Sequence, residues 1–254
     1  APVTVSVSDF SVSQEDPGLT RAVQSVAAYD GIKAITLAFY KSDGTTQQEC
    51  KTQLRADATT YDTFGNFSLS LPFGTYTMVV LAYGHEQAVT FNSLTDVSFA
   101  ENKTRETFAY TEEVSVTSTD AIDLTPTLSR IVSRISVQST DGRSADAKTI
   151  RLTLSKGGQH FNPLTGYAVS NAGFTVSVNT QTNEGSPTST LVNFFLSEDT
   201  VTMDVTIETL DASQNILFSK TVTDVPFMRN RATILRGAMY SAPFTSSFSV
   251  ETDY

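Results

Sequence analysis

The stretch SLSLPFGTYTMVVLAYG, Ser68–Gly84, decides the fold. It reads as two strands, Gly65–Leu71 and Thr75–Tyr83, joined by no more than Pro72-Phe73-Gly74. Proline presets φ and glycine supplies a left-handed position, so the connection is tight. Working back toward the start, Val3, Val5 and Val7 alternate with Thr4, Ser6 and Ser8. That period of two predicts a first strand over residues 3–12. The polar run SQEDPGLTRAVQS follows, with Pro17-Gly18 as its turn signal. Ile32–Tyr40 reads as a buried strand ending at the turn Ser42-Asp43-Gly44.

Working forward, further strands are expected near 88–92, 104–110 and 112–119. The polar interruption DAIDLTPT, residues 120–127, marks a domain boundary. Beyond it the alternation restarts at Ile131, Ser133, Ile135 and Val137 and stops at the turn Thr140-Asp141-Gly142. Strands are predicted over Thr149–Ser155, Phe174–Asn179, Leu191–Leu196, Val201–Leu210 and Ile216–Val222. A last strand region continues to Val250. Arg21–Tyr29 and Ser129–Arg134 admit a helical reading, and both are short. Regularly spaced short strands with turn signals between them point to an all-β protein built of sandwiches, not to alternating βα units. The expected organisation is an N-terminal domain over 1–124 and a C-terminal domain over 125–254, each of ordinary domain size.

Composition agrees. The chain of 254 residues carries 17% charged side chains together with 16 Phe and 9 Tyr, enough for a real core. A formal charge of −10 argues against nucleic-acid binding. No run reaches the roughly 18–20 apolar residues needed to span a bilayer. The chain opens directly on the strand APVTVSVSDF, which reads as the trimmed start of an exported protein.

The search for chemistry returns no catalytic residue, metal ligand or cofactor site. Cys50 is the single cysteine, which excludes an internal disulfide and a multi-cysteine metal site. His85 and His160 stand far apart, and neither has a second histidine at ligand spacing. No nucleophile elbow, phosphate loop or dinucleotide fingerprint occurs. Gly157-Gly158 reads as a hairpin turn. The carboxylate pairs Glu112-Glu113, Asp120 with Asp123, and Glu198-Asp199 read as solvated strand ends and turns.

The segment VPFMRNRATILRGAMYS, Val225–Ser241, concentrates three arginines. As a strand it puts Arg229 and Arg231 on one face and Arg236 on the other. Asn230 falls in the turn from Pro226. Ala232, Ile234, Ala238 and Tyr240 share one parity and are expected to face the core.

Four segments together resemble the Bacteroidales fimbrillins, the type V pilins. LTRA, Leu19–Ala22, resembles the start of the family. Ser68–Gly84 is similar to its LP-x-G-x-Y hairpin. LSRIVSRISV, Leu128–Val137, resembles the strand opening its second domain. Pro226–Gly237 is similar to its P-x-x-R-N-x-x-T-x-x-x-G segment. The resemblance implies two tandem transthyretin-like, Greek-key β-sandwiches and a non-enzymatic structural subunit of a cell-surface fimbria, whether tip, anchor or accessory. It implies export, a lipid on a cysteine upstream of Ala1, and residence at the outer membrane or in the surface fimbrium. It also implies assembly by strand exchange with other fimbrial subunits. An arginine-specific protease would cut after Arg21, before Ala22, and release the strand near Val3–Val12. Such a cut exposes backbone groups and an apolar groove that an incoming strand satisfies. The competing reading is a surface adhesin or glycan-binding lipoprotein of the same fold, with host or bacterial surface ligands and exposed tyrosines such as Tyr61 or Tyr167 at its site.

Overall fold

The computed structural model describes residues 1–11, 23–26, 29–180, 182–240 and 248–253. In chain order the strands are β1 (Pro2–Ser6), β2 (Asp9–Ser11), β3 (Val23–Ser25), β4 (Ala34–Lys41), β5 (Gln47–Leu54), β6 (Asn66–Ser70), β7 (Gly74–Tyr83), β8 (Thr90–Ser93), β9 (Asp96–Ser98), β10 (Thr107–Val116), β11 (Ile122–Leu124) and β12 (Thr127–Arg130). They continue as β13 (Ser133–Ser139), β14 (Thr149–Leu154), β15 (Phe161–Asn162), β16 (Tyr167–Ala168), β17 (Phe174–Asn179), β18 (Ser189–Phe194), β19 (Thr200–Leu210), β20 (Ile216–Met228), β21 (Ala232–Gly237) and β22 (Ser249–Asp253). Two single 3-10 turns are the sole helical elements among the described residues. The protein is an all-β sandwich protein. It divides into two compact units, Ala1–Val132 with Gln159–Val169, and Ser133–Gly158 with Ser170–Tyr254.

In the first unit a three-stranded sheet, β11-β1-β6, accompanies a seven-stranded one ordered β3-β2-β12-β10-β7-β4-β5. Their shared core holds Val3, Val5, Phe10, Ile35, Leu37, Phe39, Phe67, Met78, Val80 and Phe108. A smaller sheet, β16-β15-β9-β8, completes the unit. Its β15 and β16 arise from an excursion of the chain at residues 159–169, where a plain hairpin turn at Gly157-Gly158 was expected. Gly157 has φ +77° and lies so near Phe195 O that a Cβ would sit 2.9 Å from it. Gly173 N donates to Gly157 O, closing the excursion's base. The second unit packs β18-β13-β21-β22 and β17-β14-β19-β20 around Ile135, Leu152, Phe194, Ile207, Phe227 and Leu235. Pro226 is tolerated there because β20 is an edge strand.

Several expectations need correcting. Residues 3–12 are not one strand: β1 belongs to the small sheet and β2 to the large one. The chain crosses between them where Val7 N donates to Gly65 O and Ser8 O accepts from Val26 N. The buried parity slips there, from Val3, Val5 and Val7 to Phe10. The Pro72-Phe73-Gly74 link is likewise a corner and not a hairpin. β7 is already flanked by β4 and β10, so no edge is left for β6, which pairs with β1. Gly74 takes φ +152°, and the buried Tyr76 donates its hydroxyl to Pro72 O at 3.0 Å, pinning the corner. Tyr76→Phe removes that bond while keeping the ring. It is expected to lower the unfolding free energy by about 1 kcal/mol in urea denaturation, and unchanged stability would refute the pin.

In the last stretch the core parity is the opposite of the expected one. Thr233, Leu235 and Met239 are buried, and Ala232, Ile234 and Arg236 point away. Arg236 shares the parity of Ala232 and Ile234, and its guanidinium draws that whole face outward. Neither segment open to a helical reading is helical where it is described: Val23–Ser25, Thr127–Arg130 and Ser133–Ser139 are strands.

Candidate functional site

The first eleven residues thread both layers of the first unit. β1 runs between β6, antiparallel, and β11, parallel, with Val3 opposite Leu69 and Ile122. The β1–β6 pairing extends to Ala1, whose N donates to Leu71 O at 2.8 Å while its O accepts from Leu71 N at 3.0 Å. β2 then lies between β12, parallel, and β3, antiparallel. Neither strand is an edge, so each satisfies neighbours on both sides. Alternation in VTVSV sends Val3, Val5 and Val7 into the core, and Phe10 follows after the crossover. All four are at most 2% exposed.

Phe10 closes an aromatic cluster. Its ring lies 4.8 Å from that of Phe108 and 6.3 Å, edge-on, from that of Tyr29. The guanidinium of Arg130, on β12, stands 5.4 Å from the Phe108 ring centre. Arg130 Nη2 also pairs with Glu106 Oε1 at 2.8 Å, both side chains about nine-tenths buried, and the Tyr29 hydroxyl donates to Glu106 Oε2. Gly65, φ +97°, lets the segment approach closely, since a Cβ there would meet Val7 O at 2.7 Å. A side chain at that position would press on the crossover between β1 and β2.

Burying three valines and a phenylalanine contributes about 6–12 kcal/mol. A whole domain's net stability is about 5–15 kcal/mol. A slot emptied of these strands therefore needs another occupant to stay folded. What the arrangement does physically is hold β1 and β2 from both sides, with backbone bonds setting register and Val3, Val5, Val7 and Phe10 packed in the core.

Arg21 and Ala22 lie outside the described residues. β2 and β3 pair through Ser11 and Val23, and residues 12–22 join them in sequence. The other sequence candidates fall in separate places. Arg229 pairs with Asp199 at 3.6 Å, whereas Arg236 donates to Gln138 and pairs with Glu251, so these two arginines engage different partners. Asn230 takes φ +62° in the turn between β20 and β21. His160 ties the 159–169 excursion to Asp96 at 3.0 Å and to Asn102 at 3.2 Å. His85 accepts from Gln87 N, and burial followed by the charge of Arg105 pushes its imidazole below the ordinary value. Cys50 is exposed on β5. Among the described residues no three His, Cys, Asp or Glu side chains gather as metal ligands. Tyr167 lies in β16, while Tyr61 lines a groove beside β5 and β6. Sequence reasoning missed Phe10, Tyr29, Glu106, Phe108 and Arg130. The parity slip between Val7 and Phe10 was the signal available for Phe10; the others meet it through sheet order.

Comparison with solved structures finds the same architecture in several proteins of low sequence identity. A candidate cell adhesion protein from Bacteroides fragilis is 10% identical, with TM-score 0.53, over 100% of this chain and 97% of that one. A second candidate cell adhesion protein, from Bacteroides ovatus, is 12% identical with TM-score 0.54, again over 100% and 97%. The fimbrial anchor protein Mfa2 from Porphyromonas gingivalis is 12% identical with TM-score 0.50, over 99% of this chain and 96% of that one. At such identities the likeness is one of fold. No curated protein matches the sequence. Residues 3–254 match the Family of unknown function (DUF6562), and the chain belongs to that family.

Proposed function

We propose that the chain is a non-enzymatic subunit of a cell-surface fimbria, assembled by exchange of its N-terminal strands. The observation that carries this reading is the inner position of β1 and β2 in two layers at once, with four core side chains on eleven residues. Cleavage after Arg21 would free a fragment bearing both strands, and a strand from another subunit would take the slot. The full-length likeness to a fimbrial anchor protein supports a place in such an assembly. So does the likeness to candidate cell adhesion proteins. On this reading the protein is exported and held at the outer membrane by a lipid on a cysteine upstream of Ala1.

An arginine-specific protease is expected to yield a new N-terminus at Ala22. The cut chain should form a ladder of oligomers on sizing, and Arg21→Ala should abolish both. Persistence of an uncut monomer under conditions that digest unfolded chain overturns the polymerising role.

A further inference from the structure

We propose that the groove between β5 and β6 binds a neutral oligosaccharide, a function beyond assembly. The cavity, about 500 Å³, opens where the end strand of the large sheet meets the end strand of the small one. A docked peptide strand is not its occupant, because side chains of β5 already occupy the outer backbone edge of β6. Gln53 donates to Asn66 O at 2.6 Å and accepts from Gly65 N at 2.7 Å, while Lys51 Nζ donates to Ser68 O at 3.1 Å. That leaves a polar trough whose floor is fixed by side-chain bonds to the outer edge of β6.

Two features of its lining match the chemistry of sugars. The first is the ring of Tyr61, held in the wall by residues that stand behind it. The Tyr61 ring packs on Phe64 at 5.5 Å, and the guanidinium of Arg55 covers Phe64 at 4.4 Å. Arg55 is anchored in turn by bonds from Nε to Ile32 O at 2.7 Å and from Nη2 to Val26 O at 2.8 Å. The Tyr61 hydroxyl donates to Arg55 O at 3.3 Å, so the ring is ordered before any ligand arrives. A pre-ordered aromatic face suits the C–H face of a pyranose, which is apolar, and little entropy is lost on binding.

The second feature is a row of uncommitted polar groups. The side chains of Thr4, Asp62, Thr63 and Ser68, with the Asn66 amide, make no hydrogen bond or ion pair among the described residues. Vicinal hydroxyls each donate and accept, and hydroxyl, amide and carboxylate partners along one wall satisfy both roles. Lys51 and Asp62 are the charged residues of the lining and cancel, which favours an uncharged ligand over an acidic one.

The test uses the intact, uncut chain with maltotetraose, cellotetraose and N-acetyllactosamine, read by calorimetry and ligand-observed NMR. Saturable binding of at least one probe is expected. Tyr61→Ala and Asp62→Asn should each weaken it about tenfold with an unchanged melting temperature, and Tyr61→Phe should retain it. Absence of saturable binding by all three probes, or equal binding by Tyr61→Ala and the parent chain, overturns the proposal. Neither result bears on strand exchange, which is read from cleavage at Arg21.

Discussion

Phe10→Ala is expected to destabilise the protein by about 3–5 kcal/mol, the range for deleting a fully buried phenyl ring. The ring is 0% exposed and touches Phe108, locked in β10, and Tyr29, held by its bond to Glu106, so neither has much freedom to fill the void. The loss should appear as a lower midpoint in urea with an unchanged slope, since the same surface is exposed on unfolding. It should also appear functionally. A chain with Phe10→Ala should give up its first strands to a competing synthetic peptide of residues 1–21 faster than the parent chain does. A loss below about 1 kcal/mol would mean that the aromatic pocket does not hold β2 in place.

The second large effect is expected at Arg130. Arg130→Met keeps most of the side chain's volume and its packing on Phe108 but leaves Glu106 buried without its cation. Breaking a buried pair from one side costs about 3–5 kcal/mol. Adding Glu106→Gln to Arg130→Met should recover part of that loss, because no uncompensated charge then remains. Thermal unfolding of both variants beside the parent checks the sign. A double variant no more stable than Arg130→Met would show that the pair acts through something other than its charge, such as the Tyr29 hydroxyl bonded to Glu106.

The all-β character and many individual strands were legible in the sequence, because one face of each is buried and period two is then enforced. Val201–Leu210 and Phe174–Asn179 alternate almost without a slip, and they appear as β19 and β17. The turn Ser42-Asp43-Gly44 was equally plain. Asp43 accepts from the N–H groups of Thr45 and Thr46, and those bonds hold its carboxyl far below the usual range. Strands without a buried face were invisible. β5, QQECKTQL, is an edge strand with polar residues on both sides, and β15 and β16 are too short to show any period.

Other losses have different causes. Strands near 104–110 and 112–119 were expected, yet Thr107–Val116 is the single strand β10, with Glu112 and Glu113 exposed within it. Pairing was the hardest part. Nothing local links Glu106 to Arg130, or Val3 to Ile122, because such partners are chosen by sheet order and not by spacing. The candidate site was therefore legible as apolar residues but not as a slot.

That sheet order has a consequence for how the chain comes into being. Val3 faces Ile122 and Phe10 faces Leu128, so the earliest residues made complete their sheets only with some of the middle ones. Until β11 and β12 have been made, β1 and β2 can pair on one side only, with β6 and β3. Closing so long a loop before any reward is slow. The segment of β1 and β2 is thus made well before the strands that complete it, and a nascent chain in transit stays incompletely locked there.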